Sequence, residues 1–334
     1  LNYLNYLDTT LDPATGLSRD QELGYWLGPQ NQQLGAAFPA TACHVYALGI
    51  VAKTAALLGH EEDAASLKGR YHKRKAFLNT LLADTADTQS FYAIGLALGV
   101  FEDQDTARFA ARLNNCVTRQ ASDDNGIVRP EYSLMTGFIG TAWIGDALSA
   151  HGYGGTAYRL FLNDQYPSLL YSVRQGASTI WERLNGYTTE HGFAGNNSMN
   201  SFNHYSFGAV GQWLMSHSAG IQRATPGFKT FALRPEIDGN GQISAVDAWY
   251  QSPYGKITSH WWIEDNALHY KTKVPANTTA TLHLPVTDIK TITESGTVLQ
   301  DSAGISAIQH CNGFISMQLQ SGEYHFNCQH TTKP

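Results

Sequence analysis

Thr225-Pro226-Gly227-Phe228-Lys229-Thr230-Phe231-Ala232-Leu233-Arg234 is where this chain changes its hydrophobic period. Before it, apolar residues recur three and four apart, as one face of a helix requires. From Phe228 onward they alternate, as a half-buried strand requires. The Pro-Gly pair between the two regimes breaks both patterns. The reading places a helical domain over 1–224 and a β domain over 225–334, with the boundary near Ala224.

Working back from that point, residues 39–58 carry Val45, Leu48, Ala52 and Ala55 at helical spacing, with Gly59 as a stop. Residues 61–82 form a second helix that opens with acids, which suits the helix dipole. Further helices are expected over 90–100, 105–116, 133–150, 156–162 and 203–220, and residues 1–7 suit the last turns of another. Small residues such as Gly49, Ala52, Gly95 and Ala97 permit close packing. This fits the inner ring of an α/α toroid, and a plain helical bundle almost as well. A full toroid of six hairpins needs roughly twelve helices. The helices here cover about half of one, so either the domain is a smaller all-α unit or the N-terminal part of the toroid precedes Leu1. Working forward, residues 256–263, 268–273, 278–284 and 314–319 alternate between turn signals at Pro253-Tyr254-Gly255, Asp265-Asn266 and Asn312-Gly313. An antiparallel β-sandwich is the simplest result.

The 334 residues are 43% hydrophobic and 15% charged, with a net charge of -6. That charge gives no basic field, so nucleic acid is not an expected partner. No apolar run is read as reaching the ~18 residues of a membrane span, so no membrane partner is expected. The four cysteines, Cys43, Cys116, Cys311 and Cys328, have no metal-site spacing. Cys311 and Cys328 could face each other across a hairpin, and Cys43 is expected to be buried. No metal or cofactor is expected. The polar, lysine-poor composition leans towards a periplasmic or secreted compartment.

The chemistry concentrates in two stretches, Ala177-Ser-Thr-Ile-Trp-Glu-Arg-Leu184 and Ser198-Met-Asn-Ser-Phe-Asn-His-Tyr-Ser-Phe-Gly208. Glu182 offers a carboxylate for acid or base work, with the indole of Trp181 beside it. The plain alternative is an exposed Glu paired with Arg183. His204 sits among amides and hydroxyls, with Asn200 close by in the chain, a mixture suited to sugar hydroxyls. As a lone residue it would be read as an inert histidine near a helix start. Trp26 lies in the glycine-flanked Gly24-Tyr-Trp-Leu-Gly28, where an indole could stack on a sugar or simply anchor the loop. Trp143 and Trp213 fall on helical stripes, and Trp249, Trp261 and Trp262 on strands, so these five are assigned to packing.

These two stretches resemble the bacterial α-L-rhamnosidases of glycoside hydrolase family seventy-eight. Supporting segments are Thr136-Gly-Phe-Ile-Gly-Thr141, Tyr166-Pro-Ser168, Ser252-Pro-Tyr-Gly-Lys256 and Val274-Pro-Ala-Asn-Thr-Thr-Ala280. The resemblance implies the C-terminal part of an (α/α)6 toroid followed by a β-sandwich, and inverting hydrolysis of terminal α-L-rhamnosides. It matches Glu182 to the general base, His204 to a rhamnose contact and Trp26 to a wall of the sugar site. Two departures stand out. The family has Gly-Asp-Trp where this chain has Gly24-Tyr25-Trp26. The family's general acid lies in an upstream acidic motif that residues 1–23 do not resemble, Asp20 and Glu22 being the nearest acids. Two rivals stay open: a polysaccharide lyase acting at rhamnose–uronic acid linkages, and a non-catalytic carbohydrate-binding derivative.

Overall fold

The computed structural model describes residues 1–19, 25–80, 87–189, 191–193, 199–299, 303–311 and 313–329. Two compact units divide the chain, Leu1–Val210 and Gly211–Pro334.

The first unit is helical. Its helices are α1 (Asn2–Thr9), α2 (Asn31–Leu34), α3 (Ala37–Leu57), α4 (Glu61–Thr80), α5 (Gln89–Ala97), α6 (Asp103–Thr118), α7 (Phe138–Ala150), α8 (Gly154–Leu162) and α9 (Leu169–Arg174). Three hairpins, α3/α4, α5/α6 and α7/α8, set the plan. Helices α3, α5 and α7 lie side by side, and each is followed by a helix that returns along it. The sequence explains this arrangement. Helix α5 buries every residue from Gln89 to Gly95, as a helix packed on all sides must. In contrast, α6 buries only a stripe that includes Phe109, Leu113 and Val117. Phe38, Phe91, Phe101 and Phe109 interlock at the centre, with ring centroids 4.4–6.4 Å apart. Helix α3 corrects one expectation. An 18-residue window of it has a mean hydropathy of 1.3, long and apolar enough for a membrane span by length and composition. Its valines, leucines and isoleucine are scattered among alanines, so no continuous Leu/Ile run advertises that apolarity. Within the unit α3 buries Phe38, Ala42, Val45 and Leu48. Cys43 on the same helix is exposed, contrary to its expected burial.

Residues 203–220 do not form one helix. Ser206–Val210 is a 3₁₀ turn. In the second unit, Gly211–Trp213 is a single α-turn and Leu214–Ser218 a π-turn. Gly208, Gly211 and Gly220 weaken a continuous helix here, each at roughly 1 kcal/mol relative to alanine.

The second unit is a β-sandwich. One small hairpin in the first unit supplies β1 (Ala121–Ser122) and β2 (Val128–Arg129). The sandwich follows with β3 (Ile221–Arg223), β4 (Thr230–Leu233), β5 (Ala245–Ser252), β6 (Gly255–Glu264), β7 (Ala267–Val274), β8 (Thr279–Leu284), β9 (Thr293–Glu294), β10 (Thr297–Val298), β11 (Ile305–Cys311), β12 (Phe314–Leu319) and β13 (Gly322–Gln329). Six strands form a sheet in the order β10-β9-β13-β7-β6-β5, and five form a second in the order β11-β12-β8-β4-β3. Pairing is antiparallel except between β4 and β8, which run parallel. Trp261, Tyr270 and Phe326 from the first sheet and Phe231, Leu282 and Ile315 from the second share one core. At the β6–β7 turn, Asp265 and Asn266 take φ of 49° and 60°, the left-handed pair of a tight hairpin. Trp261 Nε1 donates to the Ser218 carbonyl at 2.8 Å, and the Ser259 hydroxyl donates to the Ala219 carbonyl at 2.5 Å. Cys311 and Cys328 are both free. They lie on β11 and β13, which belong to different sheets, so the hairpin that could have bonded them does not exist.

Candidate active site

The two chemical stretches are joined backbone to backbone. The His204 N–H donates to the Ile180 carbonyl, and the Glu182 N–H to the Ser201 carbonyl, both at 2.8 Å. The Thr179 hydroxyl donates to the Phe202 carbonyl. Glu182 is buried, and its Oε2 accepts the Ser201 N–H at 2.8 Å. Carboxylate and imidazole thus stand on two segments joined by backbone hydrogen bonds. Trp181 is buried beside them, edge-on to Phe202 at 5.0 Å and 82°. Asn200 braces the base of the loop, donating through Nδ2 to the Gly186 carbonyl at 2.9 Å. Arg183 Nε reaches back to the Met199 carbonyl at 2.7 Å, so it faces its own loop rather than Glu182.

His204 is half-buried in a stack of rings. Phe138 lies on one side (5.1 Å, 19°) and Tyr205 stacks with it at 5.3 Å and 9°. The Ser206 N–H points at His204 Nδ1 from 3.3 Å. That bond makes Nδ1 the acceptor, so the neutral ring carries its proton on Nε2.

Phe138 opens α7 and ties the ring stack to the Trp26 loop. Its N–H donates to the Trp26 carbonyl at 3.1 Å. Tyr25, beside Trp26, is buried, and its hydroxyl oxygen takes hydrogen bonds from Ser90 and from the Gly137 N–H. Burial pushes this hydroxyl well above the usual tyrosine range, so it stays protonated. The backbones cross so closely that a Cβ on Gly28 would lie 2.6 Å from the Gly137 nitrogen, and a Cβ on Gly137 would strike the Trp26 carbonyl. Glycine at both places is therefore a packing requirement.

Two recesses flank these residues in the chain. Trp26 lines one of about 290 Å³ with Asp123, Asp124, Tyr166 and Arg183. The β1–β2 hairpin shapes it, because the Asp124 carboxylate accepts the Gln32 N–H at 2.9 Å and Gln30 donates to the Ser122 carbonyl at 3.0 Å. Trp181 lines the other, about 540 Å³, with Tyr187, Phe193 and Phe202. Glu182 connects the two in sequence, with Trp181 on one side and Arg183 on the other. The structure thus joins Glu182, Trp181 and His204 directly, and links Trp26 to His204 through Phe138. Among the described residues no three His, Cys, Asp or Glu side chains converge as a metal site. Asp20 and Glu22 lie outside the described residues, as do Gly24 and Ser198 of the quoted motifs.

Three contributors escaped the sequence reading. Ser201 acts through its backbone, which no side-chain pattern advertises. Phe138 lies inside the quoted Thr136–Thr141 segment, and that was its signal. Tyr25 was noted only as a departure from a motif.

The family model for the bacterial alpha-L-rhamnosidase 6 hairpin glycosidase domain matches residues 1–217. The chain belongs to the bacterial α-L-rhamnosidase family. A second family model, for the rhamnosidase C-terminal domain, matches residues 220–299. An α-L-rhamnosidase of Formosa agariphila is 30% identical over 297 residues, covering 87% of this chain and 31% of its own length. The structure of the Streptomyces avermitilis α-L-rhamnosidase complexed with L-rhamnose superposes with a TM-score of 0.84 at 26% identity, over 97% of this chain and 30% of that one. The fold of the Dictyoglumus thermophilum α-L-rhamnosidase also matches, with a TM-score of 0.82 at 23% identity, over 98% of this chain and 36% of that one. The rhamnosidase motifs read around Glu182 and His204 therefore pointed to the right family. This rhamnosidase chain spans 31% and 26% of two curated relatives it matches, so it corresponds to about a third of their length or less. Three helical hairpins fit half of a six-hairpin domain.

Proposed function

We propose that this chain forms part of an inverting glycoside hydrolase that releases terminal α-L-rhamnose, with Glu182 as general base. The observation that supports this best is the set of hydrogen bonds between 180–182 and 201–204, which holds the Glu182 carboxylate and the His204 imidazole on two joined segments. In the proposed reaction a water attacks the anomeric carbon from the face opposite the leaving oxygen. Glu182 takes the proton of that water as the new C–O bond forms. The leaving oxygen takes a proton from a second carboxylic acid. Inverting pairs stand about 6.5–9.5 Å apart to admit the water.

His204 donates its Nε2 proton to a sugar hydroxyl and exchanges none. Its Nδ1 is committed to the Ser206 N–H, which fixes the tautomer that makes it a donor. Trp26 and Trp181 offer indole surface to the sugar's C–H faces. Asn200 shapes the pocket by holding the loop at Gly186.

Glu182→Gln keeps the Ser201 hydrogen bond but cannot accept a proton. In the complete enzyme it should lower kcat on an aryl α-L-rhamnoside by at least ~10²-fold. Proton NMR of the wild-type reaction should show the β anomer of rhamnose first. Near-wild-type turnover by Glu182→Gln would remove Glu182 from the base role, and first appearance of the α anomer would exclude inversion.

A further inference from the structure

The outer face of the six-stranded sheet carries a layer of aromatic rings and lysines. Side chains alternate across a strand, so His260 and Trp262 on β6, His269 and Lys271 on β7, and His325 on β13 share the face turned away from the sandwich core. Trp262 stacks on His269 at 4.7 Å and 7°, and reaches His325 at 5.6 Å and 28°. His260 lies 4.7 Å from the same indole. The Lys271 ammonium is 5.2 Å from the Trp262 ring. A second pair repeats the pattern: Lys256 lies 4.6 Å from the ring of Trp249, which is 57% exposed. Trp249 pairs with Thr258, four residues before Trp262 on β6, so the two indoles are spaced about 13 Å along the strands.

The carboxylates on this face leave those cations available. Glu323 is engaged with Lys273 at 2.8 Å. Glu264 accepts the Trp262 indole N–H at 3.3 Å, and Asp247 lies opposite His260. Among the described residues neither Lys256 nor Lys271 makes an ion pair. His269 Nδ1 and His325 Nε2 are buried and find no hydrogen-bond partner there. A recess of about 410 Å³, lined by Thr258, Lys271, Ser295, His325 and the Lys273-paired Glu323, opens beside the layer. Three lysines, Lys256, Lys271 and Lys273, share this face with the carboxylates of Asp247, Glu264 and Glu323, on a chain whose net charge is -6.

We propose that this sheet face is a binding site for an acidic polysaccharide, separate from the rhamnosidase pocket. The exposed indole of Trp249 offers a surface for the apolar C–H face of an anionic sugar residue, and Lys256 and Lys271 each offer an ammonium for a carboxylate or sulfate, while Trp262, stacked on His269, backs the layer. Two pairs some 13 Å apart select an extended chain over a monosaccharide. The neutral hydroxyls meet Thr258 and Ser295.

Affinity electrophoresis of the complete protein in gels containing polygalacturonate, dextran sulfate or neutral dextran tests this. Retardation by polygalacturonate identifies a carboxylated ligand, and retardation by dextran sulfate alone a sulfated one. Either supports the site, provided Lys256→Gln with Lys271→Gln weakens it at least tenfold. Trp249→Ala, at an exposed position, should weaken it comparably with an unchanged Tm. Glu182→Gln should leave it untouched, which separates this site from the catalytic reading. Equal retardation by neutral dextran, no retardation by either anionic polymer, or indifference to the lysine substitutions would overturn the proposal. So would displacement of the glycan by a single-stranded oligonucleotide at lower concentration.

Discussion

Tyr25 shows how one buried hydroxyl can tie three segments together. Its oxygen takes hydrogen bonds from the Ser90 hydroxyl and the Gly137 N–H. Removing it by Tyr25→Phe strands a buried N–H without its acceptor, a loss of about 1–3 kcal/mol. Urea unfolding should show that drop in midpoint. Because Trp26 is the next residue, KM for an aryl rhamnoside should rise more than kcat falls. The sequence announced Glu182, Trp181 and His204 because a carboxylate, an indole and an imidazole are conspicuous in a short polar stretch. It could not announce that the Ser201 N–H orients Glu182 or that Phe138 lies flat against His204, since a backbone donor has no letter of its own and a phenylalanine at a helix start reads first as core.

At the scale of elements, legibility followed periodicity. Helix α3 emerged within two residues of its expected ends because Gly59, at φ 78°, marks the stop. The expected helix over 203–220 failed because its apolar spacing is interrupted by glycines, and a period alone does not weigh what breaks a helix. Strand β13 was overlooked although Tyr324, Phe326 and Cys328 alternate inward with exposed or half-exposed partners. Strand β5 was harder to see, being an edge strand with both faces largely open. The β6–β7 hairpin was legible from Asp265-Asn266, and its geometry can be tested. Asn266 sits at φ 60°, where a β-branched side chain is strained by roughly 1–2 kcal/mol. Asn266→Ile should lower Tm measurably, while Asn266→Gly should match or exceed the wild type.

For the whole molecule, acid is the vulnerability. His44, His151 and His283 all titrate below the ordinary 6.5, chiefly because burial penalises the imidazolium. Arg74 adds to this at His44, outweighing Asp8, and Arg234 adds to it at His283. A depressed histidine pKa means that the unfolded chain binds more protons than the folded one. The stabilisation is therefore complete above 6.5 and is lost as the pH falls below it. Differential scanning calorimetry should show Tm falling as the pH drops through 6.5, and His44→Gln should flatten part of that slope. The bonds from Trp261 to Ser218 and from Ser259 to Ala219 carry a different lesson, about where the chain can be divided. The two family models meet between residues 217 and 220, a natural place for a cut. A sandwich excised from Gly220 onward would leave both carbonyls behind: the Ser259 hydroxyl would keep Tyr270 as a partner, but the buried Trp261 indole N–H would lose its acceptor. The short turns from Gly211 to Ala219 look like a tether, yet they are part of what makes the sandwich whole.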